Sequence, residues 1–425
     1  MTHMIQQEFL DVELNGTESD ALALQRTLPE LCRNWLNPAI DRTLERRMPP
    51  VGNLCIERME LDLGTMQLER LERDLPDSMA QALEKWLHQH APLAGGAWSA
   101  SVAARQDASP EAVVRNVRHK TPLYAVVEAL VHFLRNGTLP WSFRLPGGST
   151  LEQMTLQYWQ EETKAPLPTG PGHGPLLRVL AEPNARKRLV RQFSPHFLDV
   201  LLGRLAPESA TIPDQIREER RLWQQGAAVA ATSSPAGTGS GPGASAREPA
   251  APGEDEHPEA RTGLFLQNAG LVLLHPFLPR LFQALGIADQ DRLLDPERAL
   301  GLLHYLATGQ CLTPEYELAL PKILCGLPLP APVATNPALS APEKEEAVAL
   351  LEAVIGHWEA LRNSSPDELR GVFLLRPGKL SRRDDGDWLL QVESQACDIL
   401  LDKLPWGYSA IKLPWMERML WVEWG

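Results

Sequence analysis

The residues of this chain that could do chemistry are few and scattered. His275 and His304 lie in apolar, helix-forming phrases, and either could act as an acid/base or a metal ligand. Neither has a second His at helical spacing or an H-E-x-x-H pattern, so a hydrogen-bonded core histidine is the better account. Glu315 and Glu317 form a close carboxylate pair of the kind acid/base catalysis uses. Glu315, however, falls in the first turn of a helix, where the helix dipole favours a negative charge without any catalytic role. Asp384, Asp385 and Asp387 would suit calcium, but the closing Glu of a twelve-residue calcium loop is missing, which leaves a solvated hairpin turn. The Gly-rich runs at 170–174 and 237–243 lack the G-K-[ST] ending of a phosphate-cradling loop. No nucleophile triad, metal cluster or cofactor fingerprint is present, so neither enzymatic activity nor a cofactor is expected.

What remains is adhesion. Leu-Pro-Trp recurs at 139–141, 404–406 and 413–415, and Trp406, Trp415, Trp421 and Trp424 crowd the C-terminal stretch. On one account, Pro ends a helix and Trp fills a gap in the core. On the other, these four tryptophans are exposed anchors for a partner protein, since aromatic side chains dominate interface energetics. The second account expects truncation after Lys403 to leave a soluble remainder that no longer assembles.

The elements that must position these residues are mainly helical. The densest apolar patterning runs from Leu264 to Val333. Asn268 can cap a helix with Leu271, Leu274, Leu278, Leu281 and Leu285 on one face, kinked or split by Pro276 and Pro279. Asp295-Pro296-Glu297 is a start signal, and Gly309 stops a helix whose Leu300, Leu303 and Leu306 or Ala307 face inward. Thr313-Pro314-Glu315 repeats the start and Gly326 the stop. Ser340 and Ser365, each followed three residues later by Glu, open capping-box helices. A strand near Leu380 and another over Trp388–Val392 flank the aspartate turn as a hairpin.

Earlier in the chain, alternation predicts strands over 4–14 (Leu10, Val12, Leu14) and 54–63, with helices over 18–47, cut by Pro29 and Pro38, and over 66–90. Further helices are expected from Pro122 to Gly137 and over 149–161, 176–193 and 195–205. The resulting fold class is mainly α (α+β). A small N-terminal β-α-β-α unit is followed by short-helix domains, with a β-hairpin near the C-terminus. The domain boundaries are 1–90; a linker at 91–120; a helical domain at 121–225; a disordered Gly/Pro/Ala/Ser-rich linker at 226–261, which is too polar to offset its ordering entropy; and a mainly helical C-terminal domain at 262–425.

Composition narrows the function classes. A net charge of −13 argues against nucleic acid as a partner, because phosphate binding needs Lys and Arg. Five cysteines, an odd number with no C-x-x-C spacing, argue against a disulfide framework or zinc and fit a reducing cytoplasm. The opening MTHMIQQEFLDVEL has no basic or apolar leader pattern, and no run of about 18 apolar residues exists, so neither a signal peptide nor a membrane span is expected.

Several phrases carry a resemblance. Ile56–Thr65, Phe133–Trp141, Asn268–Pro279, Leu302–Gly309, Pro314–Leu318, Leu324–Pro328 and the ending around Leu404-Pro405-Trp406 and Leu413-Pro414-Trp415 closely resemble, in the same order, the tape measure proteins of contractile injection systems. These are phage-tail-like particles. The resemblance implies a non-enzymatic assembly protein in the lumen of the growing inner tube, setting tube length after assembly begins in the cytoplasm. Its implied partners are the inner tube protein and the spike, hub or baseplate proteins, with no small-molecule substrate. The alternative is a baseplate or hub adaptor, or an assembly chaperone, of the same particle. A fully helical chain of this length would span about 640 Å at about 1.5 Å per residue. The stretch 226–261 alone reaches only about 120 Å at roughly 3.3 Å per residue.

Overall fold

Proline and glycine punctuate the chain so densely that its helices are short. A computed structural model describes residues 5, 8–47, 53–56, 59–90, 117–120, 122–146, 148–164, 174–206, 211–232, 260, 263–335, 337 and 339–425. The chain divides into two compact units, Met1–Ala125 and Val126–Gly425, and is mainly helical with a little strand.

In the first unit, the Thr17 side chain and the Asp20 carboxylate form a reciprocal capping box that opens helix α1 (Glu18–Leu31). Pro29 and Pro38 do not cut the helical run as their chemistry suggests. A π-helical turn over Cys32–Leu36, in which the Asn37 N–H reaches back to the Cys32 carbonyl, absorbs the missing proline donors and leads directly into α2 (Asn37–Arg47). Strand β1 (Asn53–Ile56) pairs antiparallel with β2 (Val117–Lys120), which comes from within the stretch read as the first linker. Helix α3 (Leu71–His90) packs Leu75, Met79, Leu83 and Leu87 against Leu36, Ile40 and Leu44.

The strand expected over 4–14 is not found: residues 8–15 form no strand, and Phe9 and Val12 are exposed. Alternating polarity needs a paired edge to become a strand, and β1 pairs with β2 instead. The second expected strand shortens to β1. Met59, Leu61 and Leu63 still pack on the helical core, so their alternation reports burial without a ladder.

The boundary between the units falls within the first helix of a helical module, most of which lies in the second unit. Its helices are α4 (Pro122–Asn136), α5 (Leu151–Lys164), α6 (Gly174–Leu180), α7 (Pro183–Gln192), α8 (Pro195–Leu205) and α9 (Thr211–Thr232). The single helix expected over 176–193 breaks into α6 and α7, because the residue before Pro183 cannot easily stay helical. Ser194 caps α8 through the Phe197 N–H. Helix α9 extends into the stretch read as the second linker; residues 233–259 of that stretch, like the Gly-rich run at 237–243 and residues 170–173, lie outside the described residues. Phe193, Phe197 and Trp159 stack in series within this module, and Phe133 meets Phe193 edge-on.

The C-terminal module is built around α11. First come β3 (Leu264–Leu266), a 3-10 turn over Ala269–Leu274 and the short α10 (Leu278–Ala284). The expected proline split is real. Asn268, expected as a side-chain cap, instead donates its amide N–H to the Glu317 carbonyl at 2.9 Å. A small hairpin follows, β4 (Ala288–Asp289) with β5 (Arg292–Leu293). Helix α11 (Pro296–Thr308) is capped by Asp295 and closed by Gly309, whose φ of 73° is the left-handed conformation that a side chain resists. Its residues are buried on nearly every side, from Ala299 and Leu300 through Leu303, His304 and Ala307, as befits a central helix. Around it pack α12 (Ala319–Leu324), α13 (Ala341–His357), which opens on the Ser340/Glu343 capping box, and α14 (Pro366–Leu369), which opens on Ser365/Glu368.

A five-stranded sheet covers one side, in the order β3, β6 (Gly378–Arg382), β7 (Trp388–Val392), β9 (Leu420–Trp424), β8 (Ala410–Ile411). All neighbours are antiparallel except β7 and β9, which run parallel. The hairpin β6–β7 matches its sequence signal, with Gly386 at φ 85° in the turn. Leu380, Leu390, Leu420 and Val422 face the core.

Because β9 lies inside the sheet and Ile411, Leu413, Met416, Leu420 and Val422 belong to the core, residues 404–425 are structural. The expectation that truncation after Lys403 leaves a soluble remainder took the C-terminal stretch as separable from the core, and the structure instead makes it part of the core. We expect that truncation to abolish cooperative unfolding of the C-terminal module, read by urea titration and near-UV circular dichroism. A sharp, wild-type-like transition would contradict the assignment.

Candidate functional site

The four tryptophans read as anchors divide by environment. Trp406 donates its indole N–H to the Leu273 carbonyl at 3.0 Å and meets Phe277 edge-on. Trp415 donates to the Leu324 carbonyl at 2.7 Å and stacks on Phe282. These bonds tie the 404–416 segment to the end of the 3-10 turn and to the C-terminus of α12. Trp424 lies half-buried beneath the Arg376 guanidinium and edge-on to Tyr408. Trp421 is different: it is exposed on the outer face of β9, with the Arg383 guanidinium over its ring and its N–H on the Asp387 carboxylate at 3.2 Å. Asp387 also accepts the Met419 N–H at 3.1 Å, so one member of the aspartate turn braces β9. Asp385 simply closes the turn through the Asp387 N–H.

Both histidines singled out in the sequence lie within the C-terminal module. His275 places Nδ1 3.0 Å from the Val272 carbonyl. His304 is fully buried on α11, 3.7 Å from the Glu317 carboxylate. Among the described residues, no group of three or more His, Cys, Asp or Glu side chains is arranged to hold a metal ion. The free cysteines Cys32, Cys311, Cys325 and Cys397 are dispersed, and burial pushes the Cys325 thiol up.

The strongest electrostatic feature was not read from the sequence. The Glu315 carboxylate is completely buried between Arg188 Nε at 2.9 Å and Lys322 Nζ at 2.7 Å, and both cations are themselves buried. Glu315 does lie in a first turn, a 3-10 turn over Glu315–Glu317, but its side chain is an internal ion rather than a solvated one. Arg188 also donates Nη1 to the Leu134 and Arg135 carbonyls at 2.6 and 3.1 Å, at the C-terminal end of α4, where the helix dipole favours a cation. Gly137 follows that helix end at φ 80°, and a Cβ there would strike the Glu315 carboxylate. Burial pushes the Lys322 pKa down, and Glu315 opposes this. A sequence signal existed. Lys322 is the one charged residue in Ala-Leu-Pro-Lys-Ile-Leu, where every neighbour is apolar and buried. A cation in such a place needs an anion.

These environments give two expectations. Trp415→Ala should destabilise the protein by roughly 3 kcal/mol, through lost packing and an orphaned Leu324 carbonyl, whereas Trp421→Ala should stay within about 1 kcal/mol. Urea denaturation of both variants decides, and equal losses would contradict the division. Burial holds His304 down at a pKa of about 4, opposed in part by the Leu312 backbone. The unfolded chain then takes up the proton first as the pH falls. The stability His304 contributes is present above pH 6.5 and is lost as the pH falls toward 4, a change on the order of 3 kcal/mol. His304→Leu should flatten the fall in melting temperature across that window, and an unchanged fall would contradict it.

No curated protein matches the chain, and no solved structure does. The family model described as contractile injection system tape measure protein matches residues 2–236 and 230–424. Together these two matches take in both structural units, the buried ion cluster and all four C-terminal tryptophans, and the chain therefore belongs to the contractile injection system tape measure protein family.

Proposed function

We propose that this protein is a non-enzymatic assembly component that lies in the lumen of the growing inner tube and limits its polymerisation. The observation that carries the reading is the family match, which runs through nearly the whole chain. Its partners on this reading are the inner tube protein around it and the spike, hub or baseplate proteins at one end, as part of an assembly that begins in the cytoplasm. No helix among the described residues is long and apolar enough to cross a membrane, which is compatible with a lumenal position. Of the four tryptophans, Trp421 has the geometry of a partner anchor: it is exposed and held in one orientation by Arg383 and Asp387. Trp406, Trp415 and Trp424 support it from within the module.

A second reading is favoured by one observation. Residues 260–425 bury a dense core, which has to unfold if the whole chain is to act as a ruler. A baseplate or hub adaptor, or an assembly chaperone, has no such requirement. Duplicating residues 226–261 should lengthen the tube by about 50–120 Å, at about 1.5 Å per helical residue or about 3.3 Å per extended residue. Electron microscopy of purified particles measures this, and unchanged tubes would remove the ruler role from that segment. Mass spectrometry of the same particles separates the chaperone from the tape measure: a chaperone is missing from them, and a tape measure is present.

A further inference from the structure

Between the helical module and the C-terminal module runs a proline-rich strap, Leu329-Pro330-Ala331-Pro332-Val333, which starts in a turn closed by the Ala331 N–H on the Pro328 carbonyl at 3.1 Å. It cannot pair as a strand, because prolines remove alternate N–H donors. Five consecutive carbonyls of this strap are nevertheless satisfied, and by side chains alone. Leu329 and Ala331 accept from Lys322 Nζ at 2.7 and 2.8 Å. Pro330 accepts from Arg188, Pro332 from Arg191 at 3.0 Å and Val333 from Gln192 at 2.8 Å. The Leu329 and Ala331 carbonyls thus turn to α12, and those of Pro330, Pro332 and Val333 to α7. The three donors on α7 stand at i, i+3 and i+4, a single helix face. Gln192 is used twice, since its Oε1 also accepts the Glu315 N–H at 2.9 Å. Glu315 bonds both Arg188 and Lys322 and so joins the two donor sets. The strap is then tied off where the Thr335 N–H meets the Arg191 carbonyl at 3.3 Å.

We propose that α7, Glu315, Lys322 and this strap form a clasp that opens as a unit, releasing the helical module from the C-terminal module while both stay folded. The bonds across the clasp are polar and interdependent. Removing any one charge strands the others in a site that excludes water, so partial opening is disfavoured and complete opening rehydrates all of them together. When the clasp opens, the edge contact of Phe133 with Tyr316, ring centroids 5.7 Å apart, is lost, but each module keeps its main apolar support: the aromatic cluster of Phe133, Phe193, Phe197 and Trp159 on one side, and the core around α11 on the other. The clasp does not depend on the tape measure reading. Where both hold, its opening lengthens the protein without unfolding a core.

Amide hydrogen exchange on the full purified chain tests this. Glu315→Gln keeps the shape of the side chain and removes the charge that joins Arg188 to Lys322. Exchange at the Glu315 and Thr335 amides should rise by roughly 100- to 1,000-fold. Amides of β7 and β9, and of α8, should stay within about threefold of wild type. Gln192→Ala, which removes only neutral bonds, should give the same pattern at roughly tenfold, and it serves if E315Q does not fold. Equal acceleration of clasp and core amides in the variant measured would show one indivisible fold and overturn the proposal. No acceleration at Glu315 and Thr335 would also overturn it.

Discussion

A carboxylate with no access to water sits between two cations with almost none, and the second unit is arranged around that fact. Taking Glu315, Arg188 and Lys322 out of water costs several kcal/mol per ion, and their mutual attraction offsets this only when every remaining donor finds an acceptor. Here the acceptors are main-chain carbonyls, at the end of α4 and along the proline strap. The prolines restrict the strap's backbone and remove any competing ladder, so that its carbonyls are left to these donors. Gly137 has to lack a Cβ because the carboxylate occupies that space. The sequence from 133 to 137, the helix from 183 to 192 and the segment from 313 to 335 are thus three parts of one electrostatic solution.

Much of the local structure was legible in advance, and the reasons are local too. The Ser340 and Ser365 capping boxes, the Asp295-Pro296 start, the Gly309 stop and the β6–β7 hairpin all depend on residues within a few positions of one another. The two apolar stripes of the N-terminal unit were legible for the same reason. What failed depended on distance. The alternation at Leu10, Val12 and Leu14 could not say that no partner strand would come, and β2 could not announce its pairing with β1 across the intervening chain. The π-helical turn after Pro29 was invisible because it repairs a defect by shifting the hydrogen-bond register, which leaves no mark in composition. Glu315 was misread for an opposite reason: its first-turn position was recognised, and the dipole explanation was sufficient alone. The better clue was Lys322, a cation among apolar neighbours.

The tryptophans show how a motif can divide. Two of the Leu-Pro-Trp repeats place Trp406 and Trp415 beneath the C-terminal segment, where their indole N–H groups take up carbonyls at the ends of helical turns. Trp421 follows from strand parity instead. It alternates with Leu420 and Val422, which face the core, and so it must face out. Three of the four C-terminal tryptophans thus serve internal support, and Trp421 is exposed.

The parallel pairing of β7 with β9 carries a consequence for the order of events during synthesis. Strand β9 inserts between β7 and β8, so the sheet cannot close until residue 424 has left the ribosome. The helical module, made of sequence-local contacts, is complete some two hundred residues earlier, by Thr232. Until residues 313–335 follow, roughly a hundred residues after Thr232, it presents Arg188, Arg191 and Gln192 without their strap. The nascent protein therefore passes through a stage in which a basic helix face is open to the cell, and it is silenced only when its own later-made half arrives.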